Sequence, residues 1–90
     1  MPAAARITVE GAVQGVGFRY FILHQAQLLP LCGYVQNLPD GKVEIEVEGE
    51  KSDIELLFDF AKRGPRLARV ENVKIDWKES RGIYSHFGIR

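Results

Sequence analysis

The strongest constraint on the fold is a change of hydrophobic period within the first thirty residues. Arg6 to Val13 alternates, with Ile7, Val9 and Val13 on one face and Arg6, Thr8 and Glu10 on the other. That pattern predicts a half-buried strand. From Phe18 the apolar residues Phe18, Phe21, Ile22, Ala26 and Leu29 recur at helical spacing, giving one stripe. Gly11, Gly15 and Gly17 fall between the two patterns and predict a tight loop. Pro30 ends the helix, because the residue before a proline avoids the α region.

The rest of the chain continues the alternation of types. Gly33 to Leu38 reads as a second strand, Pro39-Asp40-Gly41 as a turn and Lys42 to Glu48 as the clearest strand. In that strand Val43, Ile45 and Val47 face in, while Glu44, Glu46 and Glu48 face out. Ser52-Asp53-Ile54-Glu55 has the form of a capping box, so a helix is expected to start there. Ile54, Leu57, Phe58 and Ala61 supply its buried stripe, and Gly64-Pro65 stops it. Val73, Ile75 and Trp77 mark a fourth strand with Trp77 in the core, and Phe87 with Ile89 a short last one. The order βαββαβ plus a C-terminal strand predicts an α+β, ferredoxin-like split βαβ sandwich. Its two helices should lie on one face of a mainly antiparallel sheet.

Residues 1–90 are expected to form one domain, since a chain this short buries roughly 60–65% of its unfolded surface around a single core. Twelve basic residues balance twelve acidic ones, so no global field draws nucleic acid or an anionic membrane. Any anion site must be local. The single cysteine, Cys32, excludes an internal disulfide framework and reads as a small core residue. Met1-Pro2 and three alanines do not make an export signal, and no apolar run approaches about 18 residues, so a cytoplasmic location is expected. His24 and His86 stand without clustered partners and suit surface or packing roles; no metal site is expected. Lys62, Arg63, Arg66 and Arg69 complement the dipole at a helix end, with substrate steering a lesser role.

The loop Gln14-Gly15-Val16-Gly17-Phe18-Arg19 carries the chemistry. The first N–H groups of a helix lack intrahelical partners, and glycines let neighbouring amides converge into an anion-binding nest. Arg19 would add a fixed charge with a bidentate fork. The competing reading is a plain connecting loop with Arg19 on a solvated helix face, and spacing alone leaves both open. No Lys-Ser/Thr pair follows the glycines, which excludes a nucleotide P-loop. The loop has no Ser, Thr, Cys, His, Asp or Glu, hence no nucleophile and no general acid or base. Such a site cleaves only a phosphate with a good leaving group. A carboxylic–phosphoric mixed anhydride qualifies, because the departing carboxylate has a pKa of roughly 4–5 and needs no protonation.

Gly11 to Arg19 closely resembles the first signature of the acylphosphatase family. Gly33-Tyr34-Val35-Gln36-Asn37, with Gly41, Val43 and Gly49, resembles the second, and the similarity extends to the ending around Phe87. The resemblance implies that Arg19 binds the phosphoryl group beside the loop N–H groups and that Asn37 orients the attacking water. Read from the residues alone, Asn37 is a turn residue. The implied reaction is hydrolysis of an acyl phosphate to carboxylate and inorganic phosphate by direct attack of water. It uses no metal, cofactor or phosphoenzyme, and a monomer acts on a small-molecule substrate. The alternative is a phospho-ligand-binding module of the same fold without turnover; an acylphosphatase-like segment of a larger carbamoyl-transfer maturation protein is a further one. An RNA-binding domain shares the element order but needs aromatic and basic strand residues where this chain has Glu44, Glu46 and Glu48. Two departures stand out. Leu28-Leu29-Pro30-Leu31-Cys32 replaces a glycine-ended helix, and Gly17 makes the loop more mobile.

Overall fold

A computed structural model describes residues 2–90; Met1, the first residue of the leader considered above, lies outside them. The elements run β1 (Pro2–Ala12), α1 (Phe18–Leu28), β2 (Cys32–Asn37), β3 (Val43–Glu50), α2 (Lys51–Arg63), β4 (Arg69–Lys78) and β5 (Phe87–Ile89). They build a five-stranded sheet in the order β4-β1-β3-β2-β5. Every ladder is antiparallel except β2–β5, which is parallel. This is the ferredoxin-like α+β arrangement expected from the periodicity.

Register follows the alternation. Ile7 lies opposite Ile45 on β3 and Ile75 on β4, and Val9 lies opposite Val43 and Val73. One slip of a single residue would turn the whole apolar set away from the helices. Ile7, Val9, Val35, Val43, Ile45 and Val47 pack against Phe18, Ile22 and Ala26 of α1 and Ile54, Leu57 and Ala61 of α2. Each Val, Leu, Ile or Phe among them contributes about 1.5–3 kcal/mol on burial.

Several local expectations need correction. β1 begins at Pro2 rather than Arg6, and Ala4 and Ala5 are fully buried there. Alanine is a poor strand former, so only the pairing of Ala4 with Glu48 and Ala5 with Val47 reveals the extension. α2 starts at Lys51 with Glu50 at the N-cap and no side-chain cap, because β3 runs straight into it; Ser52 is already inside the helix. Trp77 is 42% exposed on edge strand β4, with the Lys51 ammonium 5.4 Å from its ring centre. Cys32 is half-buried at the start of β2. His24 and His86 are exposed, as expected.

The acidic face of β3 is the largest departure. Glu44, Glu46 and Glu48 do point away from the helices, yet Glu46 and Glu48 are buried. Arg6 Nε donates to Glu46 Oε2 at 2.6 Å, and the Lys78 ammonium donates to its other oxygen. The main-chain N–H of Arg81 donates to Glu48 Oε2 at 2.8 Å. Tyr34 Oη and Gln36 Nε2 both donate to Glu44 Oε1, at 3.2 and 2.7 Å. A buried carboxylate is tolerated only when paired in this way. The segment after β4, with Arg81, Ile83 and Tyr84, folds back beside these residues.

Candidate active site

Positive φ angles at Gly15 (74°) and Gly17 (81°) turn the loop between β1 and α1 back on itself. No heavy atom lies within 4 Å of where a Cβ would stand at either residue, so backbone conformation, not space, selects glycine there. Gly17 caps α1 in the left-handed region, and its carbonyl accepts the first intrahelical bond from Phe21 N–H at 3.0 Å. The amides of Phe18, Arg19 and Tyr20 precede that bond and sit at the positive end of the helix dipole. Phe18, only 1% exposed, anchors this turn in the core. Phe18 and Arg19 thus form the first helical turn, and the loop proper ends at Gly17.

These groups surround a cavity of about 140 Å³ lined by Val13, Gly15, Gly17, Phe18, Arg19, Tyr20 and Asn37. That is below the roughly 300–1,000 Å³ of pockets for drug-sized ligands, so it suits a small group. Asn37, the last residue of β2, brings its side chain here from the neighbouring hairpin. Its Oδ1 is buried without a hydrogen-bond partner. A buried acceptor left unpaired costs about 1–3 kcal/mol, which marks it as a group held for something else. Arg19 Nη1 donates only a long, weak bond to the main-chain oxygen of Arg90, at 3.5 Å, which leaves most of its guanidinium N–H groups for a ligand. Arg90 is itself fixed: its N–H donates to Val35 O at 2.9 Å, and its guanidinium stacks 3.8 Å from the Tyr34 ring centre. A larger groove of about 710 Å³ between Pro2, Lys51, Trp77 and Lys78 opens at the other end of β1. Glu79 and Ser80 also line it, but the buried side-chain polar atom left without a partner among the described residues, Asn37 Oδ1, lies at the smaller cavity, so size does not make the groove the functional site.

A family model described as acylphosphatase matches residues 5–89. The chain belongs to the acylphosphatase family. The acylphosphatase of Thermus thermophilus is 52% identical over 75 residues, 83% of this chain and 85% of that one. The crystal structure of acylphosphatase from Bacillus subtilis superposes with a TM-score of 0.94 at 36% identity, covering 100% of this chain and 99% of that one. A full-length HypF in its phosphate- and nucleotide-bound form matches with a TM-score of 0.88 at 34% identity. The chain covers only 12% of that protein, so an acylphosphatase-like unit also occurs within a longer polypeptide.

Of the residues expected at the acylphosphatase site, the fold brings Gly15, Gly17, Phe18, Arg19 and Asn37 to one cavity. The side chains of Gln14 and Val16 lie elsewhere: Gln14 reaches the β2–β3 turn, and Val16 packs on the core. Val13 and Tyr20 join the lining without having been anticipated. Val13 was legible only as a strand residue, and Tyr20, 68% exposed, carries no periodic signal. Among the described residues no group of three or more His, Cys, Asp or Glu is placed to hold a metal ion, and no helix is long and apolar enough to cross a membrane.

Proposed function

We propose that this acylphosphatase-family chain hydrolyses acyl phosphates to a carboxylate and inorganic phosphate, with Arg19 and Asn37 as its catalytic residues. The unpaired, buried Oδ1 of Asn37 beside the cradle carries the reading. The loop from Gln14 to Arg19 supplies the phosphate site: main-chain N–H groups and the helix dipole hold the phosphoryl oxygens, and the Arg19 guanidinium grips them bidentately. Asn37 Oδ1 accepts a hydrogen from a water and aims its oxygen at phosphorus, opposite the acyl leaving group. The P–O bond to water forms, the P–O bond to the acyl oxygen breaks, and the carboxylate leaves with the bond electrons. The proton of the water passes to a phosphate oxygen. Charge stabilisation and positioning suffice because the leaving group needs no acid. No metal or cofactor is required by this scheme. We further place the chain among hydrolases of acid anhydrides, acting as a single-domain monomer in the cytoplasm.

Benzoyl phosphate hydrolysis in EDTA tests the scheme. Wild-type protein should turn over fully, while Arg19→Ala and Asn37→Ala should each lose about 10²-fold or more. Wild-type rates in Asn37→Ala would remove its water-orienting role, and a requirement for metal would defeat the scheme altogether.

A further inference from the structure

Gln14 opens the cradle loop, yet its amide faces away from the cavity. Its Nε2 donates to Leu38 O at 2.7 Å and to Lys42 O at 2.9 Å, using both amide hydrogens. Each of these carbonyls already accepts a main-chain bond of the β2–β3 turn: Leu38 O from Gly41 N–H at 3.1 Å, and Lys42 O from Leu38 N–H at 2.8 Å. The Gln14 amide therefore occupies the second acceptor site of both carbonyls and joins two points of the turn to one point of the loop. Leu38 directly follows Asn37.

The backbone does not otherwise hold these segments together. The β1–β3 ladder ends at the pair Val9–Val43, and the β2–β3 ladder ends at Asn37–Val43. Beyond those pairs, the loop 13–17 and the turn 38–42 share no main-chain bond among the described residues. Apart from a long, exposed ion pair between Lys42 Nζ and Glu10 Oε1 at 3.9 Å, which does not reach the loop 13–17, Gln14 is the next connection. Two neutral hydrogen bonds are worth about 1–3 kcal/mol together, modest for stability but decisive for a distance.

We infer that Gln14 is a positioning residue, whose carboxamide clamps the hairpin turn to the cradle loop and so sets Asn37 Oδ1 relative to the bound phosphoryl group. The inference rests on the water-orienting role proposed for Asn37. The Gln14 side chain is held on the turn and does not line the cavity. A displaced Asn37 would still sit beside a formed cradle, so phosphate binding survives while attack slows.

The test measures kcat for benzoyl phosphate, the inhibition constant of inorganic phosphate and thermal unfolding. Gln14→Met keeps length and removes both donors; Gln14→Lys restores donors at similar reach. Gln14→Met should lower kcat by roughly 10- to 100-fold, and Gln14→Lys should recover most of it. Phosphate inhibition should stay within about twofold of wild type, as for an uncoupled site. In an Asn37→Ala background, adding Gln14→Met should change kcat by less than about twofold, because the clamp acts only through Asn37. A wild-type kcat in Gln14→Met overturns the inference. So does a parallel loss of phosphate affinity, or a full additional loss in the Asn37→Ala background. If Asn37→Ala alone keeps its kcat, the water-orienting role fails first. If Asn37→Ala loses kcat while Gln14→Met does not, only the clamp fails.

Discussion

Two polar clusters lie on this sheet, and they differ in whether their charges are compensated. Under the open face, Glu46 holds Arg6 and Lys78, Glu48 holds a main-chain N–H, and Glu44 holds Tyr34 and Gln36. At the end of the sheet, Arg19 meets its nearest acceptor only at 3.5 Å, and Asn37 Oδ1 has none. The first cluster is richer in ionisable groups, but its carboxylates already have cations, N–H or O–H groups as partners. The second is sparse, and its capacity points into one small cavity. Density of charge is therefore a poor guide to a site; uncompensated capacity is the better one.

The comparison breaks if the two clusters exchange roles on mutation. Arg19→Ala should produce the largest effect, a loss of roughly 10²- to 10³-fold in kcat/KM, because a preorganised charge on the phosphoryl group is removed. Its unfolding free energy should move by no more than about 0.5 kcal/mol, as for a surface change. A large fall in Tm would mean that Arg19 is structural after all. Glu46→Ala should do the reverse. It strands Arg6 and Lys78, which stay about half exposed and so remain partly solvated. The expected cost is about 1–3 kcal/mol, or a Tm lower by on the order of 5–20 °C, with kcat unchanged. Urea unfolding and benzoyl phosphate turnover on the same samples read both arms.

Gly17→Ala sharpens the contrast at smaller scale. No atom would meet the added Cβ, so the cost is that of holding φ near 81° in a residue with a side chain, about 1–2 kcal/mol. If the variant relaxes instead of bearing the strain, the N–H groups of the cradle diverge and phosphate inhibition weakens. Unchanged stability together with unchanged phosphate inhibition would show that the left-handed turn at Gly17 is dispensable.

Most of the fold was legible because its signals are local. The alternation from Ile7 to Val13 and from Val43 to Val47, and the stripe from Phe18 to Ala26, each depend on neighbours a few residues apart. What escaped depends on distant partners. Glu46 looked solvated because its alternation is perfect, and only Arg6 and Lys78, 40 and 32 residues away, explain its burial. Trp77 looked like core because the pattern does not say that β4 is an edge. At the site, the glycines and Arg19 suggested an anion cradle on their own. Asn37 did not: its meaning comes from family resemblance, and its unpaired oxygen is visible only in three dimensions. Gln14 was placed with the cradle by adjacency, and its side chain turned out to reach across 24 and 28 residues.

The smallest expected effect tests whether Tyr34 on the helix-free face is shielded from water. The Tyr34 hydroxyl is pushed up to about 12, chiefly by burial and then by the charges of Glu44 and Glu46. A phenolate there would lie beside carboxylates that already have their partners, so the folded protein retains this proton where the unfolded chain, near pH 10, releases it. The stabilisation is fully present below about pH 10 and is lost as pH rises towards about 12. Phenolate absorbance, taken as the difference between wild type and Tyr34→Phe, should therefore show a midpoint near 12. Glu44→Gln should lower that midpoint only part of the way, since burial, the larger cause, remains. A wild-type midpoint near 10 would place Tyr34 in water, and with it would go the claim that Tyr84 and its neighbours shield the Tyr34 hydroxyl. The distinction between a compensated cluster and an uncompensated one would then rest on the pairing of Glu46 with Arg6 and Lys78.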